Sequence, residues 1–337
     1  MTTFPPGPPG PERDQRPLGE DSPYGAPVSD TPPAEDMTQD PEAAPAEAPP
    51  AEDSAVGRTP RRAPDPAKER RHAIPEPEPV DRHGPARVVA LCNQKGGVGK
   101  TTTTINLGAA LTEFGRKVLL VDFDPQGALS VGLGIAPHQL DKTIYNLIMG
   151  RDVRAEDVVM KTNVPDMDLL PSNIDLSAAE VQLVGEVARE QALARVLRPV
   201  VADYDYVLVD CQPSLGLLTV NALTAADGVL IPLECEFFSL RGVALLMDTI
   251  DKVRDRLNPS LQVDGILATM YDPRTVHGRE VFSRVVEAFG DVVYQTVVSR
   301  TVRFPETTVA GEPITTWAPS SVGAEAYRDL AREVLSR

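Results

Sequence analysis

From residue 86 onward, short and continuously apolar runs alternate with longer segments whose apolar positions recur every three or four residues. Residues 87–93 (RVVALCN), 117–123 (KVLLVDF), 206–210 (YVLVD), 228–233 (GVLIPL) and 265–270 (GILATM) read as strands covered on both faces. Residues 101–114, 176–200, 240–257, 279–289 and 323–336 carry the helical period. Buried strands separated by helices predict an α/β fold, a mostly parallel sheet with helices on both faces. Such sheets place ligands beyond the carboxyl ends of their strands, and every motif below falls there. No internal repeat is visible.

The first 85 residues break this pattern. They hold 21 of the 33 prolines, two aromatics (Phe4 and Tyr24), 17 acidic and 9 basic residues. That leaves half of the chain's formal charge of −16 in a quarter of its 337 residues. So few large apolar side chains cannot offset the entropy of ordering, which predicts a disordered tail over 1–85 and a folded domain over 86–337. The start has neither the basic residues nor the apolar run of a secretory signal, and no stretch is long enough to span a bilayer. Cys92, Cys211 and Cys235 are odd in number, lack CxxC spacing and lie in apolar runs. They read as buried thiols of a reducing, cytoplasmic compartment rather than as disulfides or metal ligands.

The densest chemistry lies between the first strand and the first helix, at Gln94-Lys95-Gly96-Gly97-Val98-Gly99-Lys100-Thr101-Thr102. Glycines allow successive backbone N–H groups to curl around an anion, and the following helix directs its positive end at it. Lys100 is the expected cation for the β- and γ-phosphates, and the Thr101 hydroxyl is placed to ligate Mg²⁺. The pattern is that of a P-loop binding ATP through residues 95–102, with one departure: Gln94 stands where the common motif opens with glycine. Two further strands end in acids. Alternation puts Asp122 and Asp124 on the same side of theirs, an arrangement that repels unless a cation or a water needs it; a solvated turn is the alternative. Tyr206–Asp210 is an apolar strand whose terminal Asp210 suits a Mg²⁺ site.

These segments together resemble the deviant Walker A ATPases, specifically the ParA/Soj branch of the MinD/ParA superfamily. Lys-Gly-Gly-Val-Gly-Lys-Thr-Thr matches its phosphate loop, Asp122-Phe123-Asp124-Pro125-Gln126-Gly127 its Asp-x-Asp-Pro-Gln-Gly segment, and Cys211-Gln212-Pro213-Ser214-Leu215-Gly216 its switch, with Gln212 for a proline. The resemblance implies that Lys95 is a signature lysine reaching the partner's ATP in a sandwich homodimer, and that Lys95, Lys100 and Asp124 are catalytic. It makes Asp124 the residue acting on the attacking water and places Asp122 near the Mg²⁺ shell.

The resemblance continues through Thr269-Met270-Tyr271-Asp272-Pro273-Arg274-Thr275, residues 296–305 and residues 311–327, whose loops flank the adenine in the family. Glu234 stands where glutamine is common, and Ser299 replaces a proline. Arg274 and Arg303, with Arg300 as a weaker candidate, align with positions that bind DNA non-specifically in Soj-like relatives; surface ion pairs are the alternative. An apolar stripe of Tyr327, Leu330, Ala331, Val334 and Leu335 marks the last helix. MinD relatives use such a helix on membranes, but its polar face here is mixed in sign, so packing on the core is expected and no membrane partner. The implied output is chromosome or plasmid partition on the nucleoid, with a ParB-like or other protein stimulating hydrolysis. The rival is a nucleotide-gated switch that recruits a condensation or cell-pole complex without moving DNA.

Overall fold

The computed structural model describes residues 64–150, 152–236 and 239–337. Its strands are β1 (Arg87–Leu91), β2 (Val118–Phe123), β3 (Met160–Lys161), β4 (Met167–Leu170), β5 (Tyr206–Cys211), β6 (Gly228–Glu234), β7 (Gln262–Tyr271) and β8 (Val293–Ser299). The helices are α1 (Pro66–Glu69), α2 (Lys100–Glu113), α3 (Ala128–Gly132), α4 (Ile144–Met149), α5 (Leu176–Gln182) and α6 (Ala192–Leu197), followed by α7 (Leu217–Ala225), α8 (Ser239–Arg256), α9 (Val276–Phe289), α10 (Arg303–Ala310), α11 (Ile314–Trp317) and α12 (Val322–Ser336). The strands form one sheet in the order β3-β4-β2-β5-β1-β6-β7-β8, parallel except where the two-residue β3 pairs with β4.

The expected architecture is therefore present, and its cause is visible in the strands. Along β1, Val88 and Ala90 enter one apolar cluster while Val89 and Leu91 enter the other. Along β2, Leu119, Val121 and Phe123 face the first cluster, and Val118 and Leu120 the second. A strand buried on both sides has no polar face to alternate with, which is why these runs are apolar throughout.

Several elements, β3, β4 and α7 among them, go beyond the sequence expectation, and two bear on the fold's argument. The single helix expected over 176–200 is two, α5 and α6, because Ala188 adopts a left-handed φ of 54° between them. The Asn221 side chain holds the break by accepting from Leu193 N and donating to Arg189 O. The strand β8 was not expected: it lies at the sheet's end, and its burial alternates instead of being continuous. As expected, α12 packs on the core, with Tyr327, Leu330 and Ala331 buried. Its Glu333 carboxylate accepts from the backbone N–H groups of Gln295 and Thr296 in β8.

The expected boundary at residue 85 also moves. Residues 64–85 belong to one unit with the domain; residues 1–63 of the expected tail are outside the described residues. Ala67 in α1 is buried in the core, Asp65 accepts from the Tyr271 hydroxyl at 2.6 Å, and Arg70 donates to Gly290 O and Val293 O. Further along, Glu76 pairs with Arg332. Asp205 accepts from His83, Gly84 N and Lys117 N. Composition hid this strap because one small apolar side chain and a row of polar contacts anchor it.

Truncation separates the two boundaries. Deleting residues 1–63 leaves all these contacts in place, whereas deleting 1–85 removes them and should cost about 2 kcal/mol from the lost burial and hydrogen bonds. At roughly 2–4 °C per kcal/mol for a domain of this size, the shorter protein should melt about 4–8 °C below the longer one in calorimetry. Equal melting temperatures would show that the strap does not stabilise the domain.

Candidate functional site

The phosphate loop joins β1 to α2 at the carboxyl end of the sheet, and the fold shapes it before any ligand arrives. Gly97 and Gly99 take left-handed φ values of 77° and 86°, which a side chain would strain. Asn93 braces the loop by donating to Pro232 O and accepting from Lys95 N. Val98 is buried, and its carbonyl accepts from the Thr269 hydroxyl of β7 at 2.8 Å. Lys100, the first residue of α2, is itself buried, and its Nζ donates to Lys95 O at 3.2 Å across the loop. A bound anion would therefore meet α2's positive end, the loop's N–H groups and a lysine already folded over them.

At the edge of the loop, the Thr101 hydroxyl donates to Asp210 Oδ2 at 2.6 Å. The other oxygen, Asp210 Oδ1, is buried without a hydrogen-bond partner. An orphaned carboxylate oxygen beside a threonine hydroxyl fits a hard divalent cation, which would use both oxygen types. Burial, with the charge of neighbouring Asp122 adding to it, pushes the Asp210 carboxyl up to about 8.

The remaining site residues divide by what they touch. Asp122 stands opposite Asp210 in the β2–β5 register and is fully buried. One of its oxygens accepts from both the backbone N–H and the hydroxyl of Ser130, at 2.9 and 2.7 Å, and the other accepts from Asp124 N. Its carboxyl is raised to about 6 by burial, against the pull of the Ser130 hydrogen bonds. Asp122 thus orients α3 and the turn carrying Asp124, and it does so from a place beside Asp210, next to where a cation would sit. Asp124 is half-buried and accepts from Gln126 N, which closes that turn. Gly96 and Gly97 are exposed, with open space where side chains would stand. Thr102 lines a cavity of about 370 Å³ next to the loop, together with Gly99, Thr269, Phe304, Pro305 and Tyr327. A larger hollow of about 610 Å³ between α4 and α6 shares no residue with the loop.

Lys95 turns away from the loop. Its Nζ donates to Glu234 Oε2 at 2.9 Å and to Glu236 Oε2 at 2.5 Å. Neither acid had been assigned a role from the sequence; the one available signal was an acid at 234 in place of a glutamine. The three arginines are not equivalent. Arg300 and Arg303 line one groove with Trp317. Arg274, on the loop after β7, makes a bidentate pair with its own neighbour Asp272. Arg300 donates to Glu234 Oε1, and Arg303 is exposed at the start of α10.

A family model described as "AAA domain" matches residues 86–263. An uncharacterized protein of Mycobacterium tuberculosis strain H37Rv is 70% identical over 265 residues, 79% of this chain and 83% of its own length. The sporulation initiation inhibitor protein Soj of Bacillus subtilis is 46% identical over 248 residues, 74% of this chain and 98% of its own length. Among solved structures, one of cobyrinic acid a,c-diamide synthase from Mycobacterium smegmatis with bound ADP and magnesium superimposes with a TM-score of 0.65. It shows 43% identity across 73% of this chain and 92% of that one.

The raised Asp210 carboxyl makes cation binding proton-linked. Below about pH 8 the cation-free site holds a proton that a divalent cation must displace. Binding of Mg²⁺ with ADP at pH 7 should therefore release close to one more proton in wild type than in Asp210→Asn, and apparent affinity should rise with pH towards 8. Calorimetry in two buffers of different ionisation enthalpy measures the difference; identical proton release by both proteins would remove Asp210 from the cation site.

Proposed function

The chain belongs to the ParA/Soj family of P-loop ATPases, and we propose that it is a Mg²⁺-dependent ATP hydrolase whose ATP-bound form closes into a sandwich homodimer. In that state it binds DNA without sequence preference and acts in chromosome or plasmid partition, at the nucleoid of the cytoplasm. A ParB-like or other partner protein stimulates its turnover. Shared fold alone does not choose this output, since a protein named as a synthase has it too. The observation that carries the reading is the outer face of the phosphate loop: Gly96 and Gly97 stand exposed over open space with Lys95 at their shoulder, a surface onto which a second copy of the same loop can fit.

Each residue's part in this reading joins its position to the family resemblance. The loop's N–H groups and Lys100 hold the β- and γ-phosphates, and the cavity beside Thr102 takes the base. Thr101 and Asp210 would hold Mg²⁺ with Asp122 beside them, and the ion would supply charge neutralisation for the phosphates. Asp124, fixed on its turn by Asp122 and Gln126, accepts the proton of the attacking water. Lys95 adds a cation from the other protomer only once the dimer forms. A stimulating partner with a basic segment suits a domain whose balance from residue 86 onward is acidic. Among the described residues no helix is long and apolar enough to cross a membrane, and α12 is occupied with the core.

The nucleotide-gated switch keeps one observation in its favour: Arg274 and Arg300 each hold a carboxylate of this chain. DNA phosphates would have to displace Asp272 and Glu234 from them.

Asp124→Ala should lower hydrolysis by roughly 10²–10⁴-fold while ATP still binds, so the dimer accumulates in sedimentation; a mutant that stays monomeric with ATP would assign the water to another residue.

Arg274→Glu with Arg303→Glu should abolish ATP-dependent duplex binding and leave ATP-driven dimerisation intact. Each lost phosphate contact lowers the slope of log affinity against log salt by about 0.9, read by anisotropy with ATP and with ADP. Wild type with no affinity for duplex at about 50–100 mM salt would replace partition with the regulatory switch.

A further inference from the structure

Glu234 ends β6 and is 8% exposed, yet it carries a charge between two cations. Its Oε2 accepts from Lys95 Nζ at 2.9 Å, and its Oε1 accepts from Arg300 at 3.1 Å. Glu236 takes Lys95 as well, but from an exposed position. The Lys95 backbone is fixed at both ends, its N–H on Asn93 and its carbonyl under Lys100, so the side chain alone decides where the ammonium points. In the single protomer it points at the end of β6. Burial works against that ammonium's charge, and the two carboxylates outweigh it, raising its pKa.

A lysine bound this way reaches another protomer only by leaving both acids. An acid as buried as Glu234 that had Lys95 alone and lost it would carry an uncompensated charge, which is strongly unfavourable. Arg300 removes that penalty, because it already holds the other oxygen of the same carboxylate. We propose that Glu234 is a positioning residue that latches Lys95 inward in the monomer and passes to Arg300 when Lys95 crosses to the partner. The state of the nucleotide dimer is thereby coupled to the loop after β8. This rests on the reading that Lys95 acts across the dimer. Glutamine at 234 would keep the shape and an acceptor and lose the charge, so acid at this position makes the monomer harder to leave. Closure then breaks two latches at once, one in each protomer.

The test uses the full chain and two independent readouts. In the ADP state, the acylation rate of the Lys95 amine, followed by mass spectrometry with an N-hydroxysuccinimide ester, reports the latch without any dimer. At saturating ATP, with ATP affinity measured separately, sedimentation reports the dimer constant. Glu234→Gln should speed Lys95 acylation and, at roughly threefold per half-exposed ion pair, tighten the dimer about tenfold because both protomers contribute. Glu236→Gln should shift both readouts in the same direction by less. Arg300→Ala should do the reverse and weaken the dimer, since Glu234 then has Lys95 alone; a residue that merely supported the fold would not give opposite signs at these two positions. Unchanged acylation in Glu234→Gln overturns the latch and leaves the cross-dimer role of Lys95 standing. Faster acylation with an unchanged dimer constant overturns the proposal differently, by showing that Lys95 does not change partners on dimerisation. A dimer unaffected or tightened by Arg300→Ala overturns the hand-over.

Discussion

The site depends on a buried carboxyl group with one oxygen left unsatisfied. Asp210 sits at the end of a central strand, opposite Asp122 in register, with one oxygen on Thr101 and the other without a partner. Two acids so placed would repel each other if both were ionised, and burial would raise the repulsion instead of screening it, so Asp210 keeps a proton until a cation replaces it. The surrounding structure answers that strain piece by piece. Ser130 satisfies Asp122 from the start of α3, and Thr101 satisfies half of Asp210 from the first turn of α2. What remains is one unsatisfied oxygen at the mouth of a loop built for phosphate. The protein holds its ligand site as an electrostatic deficit that nucleotide and cation together relieve, and folding stability elsewhere in the sheet sustains it.

Much of this was legible in the sequence, for reasons that differ by residue. The central strands were readable because burial on both faces leaves an uninterrupted apolar run, and the phosphate loop was readable because glycine, lysine and threonine have no interchangeable substitutes there. β8 was not, since at the sheet's end its pattern is half exposed and resembles a loop. The break between α5 and α6 is enforced by Asn221 from a helix thirty residues on, which no local window contains. Asp122 and Asp124 are two residues apart and identical in type, yet one is committed to Ser130 and the other closes a turn. Spacing placed them on one side of a strand; only packing distinguished them. The strap over 64–85 escaped for a related reason: average composition describes how much a segment can bury, while its attachment turns on a few specific contacts.

The cations of the carboxyl-end face show a further regularity. Lys95, Arg274 and Arg300 each rest on a carboxylate supplied by this chain. A domain with an acidic balance can keep basic side chains at a functional face without a permanently positive surface, because each is neutralised until a stronger anion arrives. Any anion that approaches these side chains must then compete with internal partners, which lowers its affinity and makes binding conditional on state. The acid at 234 is the point where two of these local equilibria meet.

The margins of the sheet carry a consequence for assembly. At one end stands β3, two residues long. At the other, Glu333 occupies backbone N–H groups of β8, and Arg70 from the strap occupies a backbone carbonyl of the same strand. An open sheet invites another chain to add a strand, and a short margin or a margin whose polar groups are already engaged refuses it. Copies of this protein are therefore turned away from pairing edge to edge through their sheets. The loops at the carboxyl end of the sheet carry no such guard, so any contact between copies is left to them.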